Sequence, residues 1–334
     1  MISLSLWGQN RVDESSSAVA FVYHRFGESK YPSTNITLEQ FQTQLDYLQA
    51  NDYNVWSLSQ IIKHIEEKKR LPPKTVAITI DDAYYSLYAN AYPMLKEKGY
   101  AFSAFVNTNA IDNGSKNYVT WDEMREMQKG GGEFFNHSLS HDYLLRKSTQ
   151  TREETRKRVL KEILLAQKRI DEELGEKSVK MLAYPFGEYD LETKNILKKR
   201  NIIGVTQTSG PIGERSDFQA IKRFPMAEMF ANMKGFETKL NTIEFPIIAV
   251  LPKTPLLQEQ NPPTLIVELE RPVANVSCFL SSGERVNIEW LSKTSFKAWA
   301  SKPLQGEREL YTCTAPAKNK KHYWYSHLFI VAKR

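Results

Sequence analysis

The stretch Ala77-Ile78-Thr79-Ile80-Asp81-Asp82 ends a β-branched apolar run on two adjacent carboxylates. Thr75 to Ile80 has the length and composition of a buried strand. Folds of alternating strands and helices carry their chemistry at the carboxyl ends of strands, so the pair stands where a site is expected. Working outward, the same order recurs. Ala18 to Tyr23 reads as a strand. Thr37-Leu38-Glu39-Gln40 is a capping box opening a helix with Phe41, Leu45 and Leu48 on one face. Val55-Trp56-Ser57-Leu58 leads into a helix through Ile61, Ile62 and Ile65. Beyond Ile80 the pattern predicts a helix near Tyr92 to Glu97, a strand from Ala101 to Asn107, a helix from Trp121 to Met127 and a strand from Glu133 to Asn136. The long charged helix Arg152 to Leu174, the strand Val179 to Tyr184, and a further helix and strand ending at Val205 complete the series. This order predicts an α/β fold built on a parallel sheet or barrel.

After Phe245 the character changes. Pro252, Pro255, Pro262 and Pro263 punctuate a stretch without helical periodicity, and the remainder alternates as strands: Leu265 to Glu270, Val273 to Leu280, Val286 to Trp290, Phe296 to Trp299, Glu309 to Cys313 and Tyr323 to Val331. The expected organisation is therefore a leader or N-terminal extension at 1–17, an α/β domain at 18–246, a Pro-rich linker at 247–263, and an all-β, sandwich-like accessory domain at 264–334. Its length of 334 residues suits two such cores.

The net charge is +6, and from Leu251 onward 12 Lys+Arg face 7 Asp+Glu, so nearly all the excess lies in the tail. A nucleic-acid-binding core would carry its basic patch over the functional region, and this chain does not. An anionic envelope surface is the neighbour such a tail suits. Cys278 and Cys313 either pair with each other or are two buried thiols. No window reaches the apolar length of a membrane span. Met1 to Gln9 reads as the tail of a truncated secretory signal, or as a plain N-terminal strand; the first reading implies an extracytoplasmic location.

The matching partners of the two acids are His137 and His141, in His137-Ser138-Leu139-Ser140-His141, just after the predicted strand Glu133 to Asn136. Four-residue spacing brings both imidazoles to one side of a helical turn or loop. If the strand runs through Asp81 and Asp82, their side chains point to opposite faces, so one can ligate while the other meets substrate or water. Carboxylate with imidazole suits zinc and other divalent first-row metals, leaving positions open for water. Taken alone, an Asp-Asp pair is commonly a cap and a His-x-x-x-His a solvated face; it is their joint placement after strands that points to a hydrolytic centre.

These residues resemble motifs of the polysaccharide deacetylases of carbohydrate esterase family 4. Ile78 to Asp82 and His137 to His141 resemble the first two motifs, and Ala183-Tyr184-Pro185-Phe186-Gly187-Glu188 the third, over roughly Val19 to Pro225. The resemblance implies a distorted (β/α) barrel, one divalent metal ion (zinc, with cobalt or nickel as alternatives) held by Asp82, His137 and His141, and Asp81 as catalytic base. It further implies removal of N-acetyl groups from an N-acetylglucosamine-containing polysaccharide, with Tyr184, Pro185, Phe186 and Gly187 lining the sugar site and a backbone N–H there meeting the oxyanion.

Two positions depart from that pattern. Ala183 stands where the family has an arginine, and no histidine occurs between His141 and His322 to supply the usual late general acid. Tyr23-His24 ends the first strand and resembles the circularly permuted branch that acts on poly-β-1,6-N-acetylglucosamine, which makes His24 the expected acid. Arg223, in Ile221-Lys222-Arg223-Phe224-Pro225, is the expected guanidinium for Asp81. Chitin or peptidoglycan oligomers are alternative substrates, while a noncatalytic glycan-binding protein and a phosphoester hydrolase are the rival classes. Trp290, Trp299, Tyr323, Trp324 and Tyr325 in the tail serve either as core or as sugar platforms, and Lys318 to His322 reads as a basic hairpin turn.

Overall fold

The computed structural model describes residues 17–257 and 259–331; the expected leader at 1–17 lies outside them but for Ser17. In chain order the first domain comprises β1 (Val19–Tyr23), the short pair β2 (Arg25–Phe26) and β3 (Asn35–Ile36), α1 (Leu38–Ala50), β4 (Asn54–Val55), α2 (Leu58–Glu66) and β5 (Thr75–Ile80). It continues with α3 (Tyr92–Glu97), β6 (Phe102–Val106), α4 (Thr108–Asp112), α5 (Trp121–Lys129), β7 (Gly132–Asn136), α6 (Arg152–Leu174) and β8 (Lys180–Ala183). Then follow α7 (Leu191–Lys198), β9 (Ile202–Val205), β10 (Phe224–Pro225) and α8 (Met233–Leu240).

The strands pair in the order β10-β1-β5-β6-β7-β8-β9, every ladder parallel, with β4 also on β5. Strands of this kind are covered on both faces and so read as continuous apolar runs. All six residues of β5 are buried. Val76, Ile78 and Ile80 pack beneath α1, α3, α5 and α8, whereas Ala77 joins Leu58, Ile61, Ile62 and Ile65 of α2 on the other side. The barrel is incomplete: β9 and β10 share no ladder, and a single bridge, Val205 to Ile221, spans the gap. Helix starts follow their caps, with full capping boxes at Thr37/Gln40, Thr120/Glu123 and Thr151/Glu154.

The second domain is one eight-stranded sheet. Its strands are β11 (Thr242–Glu244), β12 (Ile247–Leu251), β13 (Thr264–Leu269), β14 (Ser277–Phe279), β15 (Arg285–Ser292), β16 (Ser295–Trp299), β17 (Arg308–Pro316) and β18 (His322–Ile330), in the order β11-β18-β17-β14-β15-β16-β13-β12. Leu265, Val267, Phe296, Ala298, Tyr311 and Phe329 fill its core. The expected linker at 247–263 needs correction, because its first five residues are β12, paired antiparallel with β13. The prolines that signal a linker begin only at Pro252, and Ile247 to Leu251 is apolar enough to join a sheet. Of the expected basic turn, Lys318 to Lys321 lie between β17 and β18, with Asn319 and Lys320 left-handed, and His322 opens β18.

The two domains share a packed boundary. Leu145 of the barrel clusters with Leu328 and Ile330 of β18, Trp324 meets Phe224 edge-on at 5.4 Å, and the Ser209 and Ser326 hydroxyls lie 2.7 Å apart. Lys222 donates to the Ser326 carbonyl and covers the Tyr325 ring. Trp324 and Tyr325 therefore serve this contact and Tyr323 the sheet core, while Trp290 is exposed.

Cys278 and Cys313 form a disulfide between paired positions of β14 and β17. It closes a loop with a sequence separation of 35. The Cys278→Ala/Cys313→Ala variant should unfold at lower urea, losing about 2–4 kcal/mol, with the loss read from β-sheet circular dichroism.

Candidate metal centre

Three loops at the carboxyl ends of β5, β7 and β8 build the site. β5 stops at Ile80; Asp81 keeps one more strand-like bond, its N–H donating to the Tyr23 carbonyl at 2.9 Å. The chain then turns sharply, with Asp82 at φ 68° and Ala83 at φ 55°. A turn, rather than continued strand pleating, thus separates the two carboxylates. Left-handed residues other than glycine cost about 1–2 kcal/mol each, so local bonds must hold them. The Ala83 carbonyl accepts from Val119 N–H, and the loop after β7 is tied more tightly still. Asn136 Oδ1 accepts from Ser138 N–H, Ser138 Oγ accepts from His141 N–H, and Glu162 of α6 accepts from both the N–H and the hydroxyl of Ser140. Ser138 and His141 are themselves left-handed, so the two histidines meet across a loop and not along a helix.

Asp82 Oδ1 lies 3.5 Å from His137 Nε2 and 3.3 Å from His141 Nε2. One ligand atom from each residue lies within 4.8 Å of the others, a grouping that could hold a metal ion. The donor chemistry fits. His137 Nδ1 donates to the Ala183 carbonyl at 2.9 Å, which leaves its lone pair on Nε2, and that buried atom has no hydrogen-bond partner in the protein. Burial, then the neighbouring His137, hold His141 down to about 4 against the pull of Asp82, so it is a neutral ligand near pH 7.

Asp81 has a different partner. It is wholly buried and meets Arg223 in a two-pronged ion pair: Nη1 donates to Oδ1 at 2.6 Å and Nη2 to Oδ2 at 2.8 Å. Arg223 also donates to the Thr206 carbonyl through Nε and to the Thr79 hydroxyl. Burial alone would raise the Asp81 carboxyl; Arg223, with His137, more than reverses this and keeps it well below the usual carboxylate range. His24 Nε2 stands 4.0 Å from Asp81 Oδ2. Burial lowers the His24 imidazole and the two carboxylates oppose that shift.

The expected residues Asp81, Asp82, His137, His141, His24 and Arg223 thus converge in space. The third stretch does so only in part. The Tyr184 ring is wholly buried, stacked on Tyr189 with its hydroxyl donating to the Gln219 carbonyl, so it offers no surface to a sugar. Pro185 and Gly187 are buried too. Phe186 alone of the four is partly open, at φ 60°, its ring stacked on Tyr143 at 4.1 Å and set against His141 at 4.7 Å.

Three contributors lie outside the motifs. Gln207 Nε2 donates to Asp81 Oδ2 at 3.3 Å and sits 3.5 Å from His24 Nε2. Glu162 anchors the histidine loop, and Arg308 of β17 donates to the Phe186 carbonyl. Gln207 follows β9, so its place just past a strand end is a signal the sequence does carry. Glu162 and Arg308 carry none, since each acts from a distant element.

Arg223→Ala leaves a carboxylate buried without its partner and should lower stability by about 3–5 kcal/mol. Asp81→Asn/Arg223→Met should lose clearly less. Urea unfolding of the three proteins checks this; an Arg223→Ala variant as stable as the parent would show that water relieves the charge.

Residues 68–205 match the family described as Polysaccharide deacetylase. The chain is 24% identical over 200 residues to the poly-beta-1,6-N-acetyl-D-glucosamine N-deacetylase of Staphylococcus aureus, covering 58% of this chain and 68% of that one. Its fold is similar to that of the Streptococcus pyogenes deacetylase PplD, solved in complex with acetate, with a TM-score of 0.60, 21% identity and coverage of 67% and 98%. It is likewise similar to IcaB from Ammonifex degensii, with a TM-score of 0.58, 20% identity and coverage of 67% and 97%. Among the described residues no helix is long and apolar enough to cross a membrane. The domain match over residues 68–205, the incomplete parallel barrel and the strand-end cluster agree: this part of the chain is similar to the polysaccharide deacetylase family.

Proposed function

We propose that this domain hydrolyses N-acetyl groups from N-acetylglucosamine units of an extracytoplasmic polysaccharide, releasing acetate and leaving a free amine. The observation that carries this reading is the division of labour between adjacent acids: Asp82 faces two imidazoles, while Asp81 is locked to Arg223 beside His24. A divalent ion held by Asp82, His137 and His141, zinc by its donor set with cobalt or nickel also compatible, would polarise the acetamide carbonyl and acidify water.

The chain's own groups do the rest. Arg223 keeps Asp81 ionised and aims its carboxylate, so Asp81 accepts the proton of the attacking water. Gln207 holds the outer oxygen of that carboxylate and spaces it from His24. His24 donates a proton to the leaving nitrogen as the carbon–nitrogen bond breaks. The Phe186 N–H, in the left-handed turn over His141, serves the developing oxyanion. Acetate and a glucosamine unit result, and the proton held by Asp81 leaves with the products.

The 24% identity to a poly-β-1,6-N-acetylglucosamine deacetylase supports a β-1,6-linked substrate. Acetate release from β-1,6 and β-1,4 N-acetylglucosamine oligomers by the metal-loaded protein tests this. Faster release from the β-1,6 series is expected, and preference for the β-1,4 series would move the assignment to chitin-like chains. Asp81→Asn should retain metal by elemental analysis yet lose at least a hundredfold in kcat. His24→Ala should also keep its metal, with turnover lowered about 10²-fold or more; unchanged turnover would leave His24 a structural residue.

A further inference from the structure

Among the described residues, Arg308 of the second domain reaches the rim of the site. Arg308 opens β17, and its guanidinium crosses the domain boundary to donate to the Phe186 carbonyl, 122 residues away in sequence. The acceptor belongs to a left-handed residue of the rim. Phe186 and Gly187 are both left-handed, at φ 60° and 73°, and a Cβ at Gly187 would come within 3.0 Å of the Gln207 backbone nitrogen. Only glycine fits at 187, while Phe186 occupies a conformation an aromatic side chain does not favour. The peptide that follows Phe186 is held from both sides: the Gly187 N–H donates to the Tyr184 carbonyl at 2.8 Å, and Arg308 donates to the Phe186 carbonyl. The ring of Phe186 then stays against Tyr143 and His141.

We propose that Arg308, supplied by the β domain, is a positioning residue of the deacetylase site: by fixing the Phe186 carbonyl it sets the direction of the Phe186 N–H. The inference rests on the role given to that N–H above. Carbonyl and N–H flank the same α-carbon, so an anchored carbonyl narrows the range of φ and ψ over which the N–H can be aimed. The domain boundary supplies the rigidity this needs, because Leu145, Leu328 and Ile330 pack close by and Ser209 bonds Ser326. The β domain on this account is a working wall of the active site rather than an appended module.

Arg308 is exposed, so its replacement should leave the fold intact. Arg308→Ala, Arg308→Lys and the parent are compared in two ways. Hydrogen exchange of the metal-free proteins, read by mass spectrometry, should show about tenfold faster exchange in Arg308→Ala confined to peptides covering 184–189, with Arg308→Lys close to the parent. In the metal-loaded proteins kcat for acetate release should fall about tenfold in Arg308→Ala with KM within threefold, and recover in Arg308→Lys. Parent-like exchange at 184–189, or faster exchange spread over the whole β domain, would overturn the clamp. A rise in KM alone would also overturn it, assigning Arg308 to polysaccharide contact instead. A parent protein that releases no acetate from any oligomer would refute the deacetylase reading, while the exchange data would still judge Arg308.

Discussion

Everything at the mouth of this barrel depends on one buried ion pair, Asp81 with Arg223. Desolvating two full charges costs several kcal/mol per ion, and only near-complete hydrogen bonding offsets it. Arg223 meets that demand with its Nε on Thr206, one Nη1 bond each to Thr79 and Asp81, and Nη2 on Asp81. Those partners come from the end of β5 and the segment after β9, and Arg223 itself immediately precedes β10. It therefore stands where β9 and β10 fail to pair. The guanidinium joins strand ends that no ladder joins, and the gap it bridges leaves room for Gln207 to reach Asp81 and approach His24.

Much of this was readable in the residues because the barrel is built on local rules. Continuous apolar runs gave strands within a residue or two of their limits, and Thr-x-x-Glu/Gln boxes marked helix starts. Asp82, His137 and His141 were legible as a group since each follows a strand. Arg223 was legible only by need, as the charge missing at Ala183. Tyr184 misled, because a tyrosine in a Pro-Gly turn looks available whereas here the strand's alternation sends its ring into the core. β12 was hidden by prolines that begin one residue after it. Glu162 and Arg308 could not be read at all, for each acts through a tertiary contact with no short-range pattern.

The rim also gathers left-handed residues. Asp82, Ala83, Ser138, His141 and Phe186 are all left-handed, and none is glycine. Such conformations persist only where surrounding bonds over-determine them, and each loop has its own: Asn136 and Glu162 for the histidines, Val119 for the acids, Arg308 for Phe186. The candidate metal ligands are thus held near one another by protein bonds alone, so an ion would ask little rearrangement of them.

The parallel pairing of β11 with β18 places one of the earliest strands of the second sheet beside its last. A growing polypeptide that has emerged as far as Pro225 holds every candidate metal ligand, Arg223 and His24 beside Asp81, and the Phe186 turn, yet it lacks the strands that pack against them. Only when Arg308 and Ser326 have followed can the boundary between the two sheets close. A chain cut short in the β domain would therefore keep the apparent motif complete while lacking the strands that pack against it.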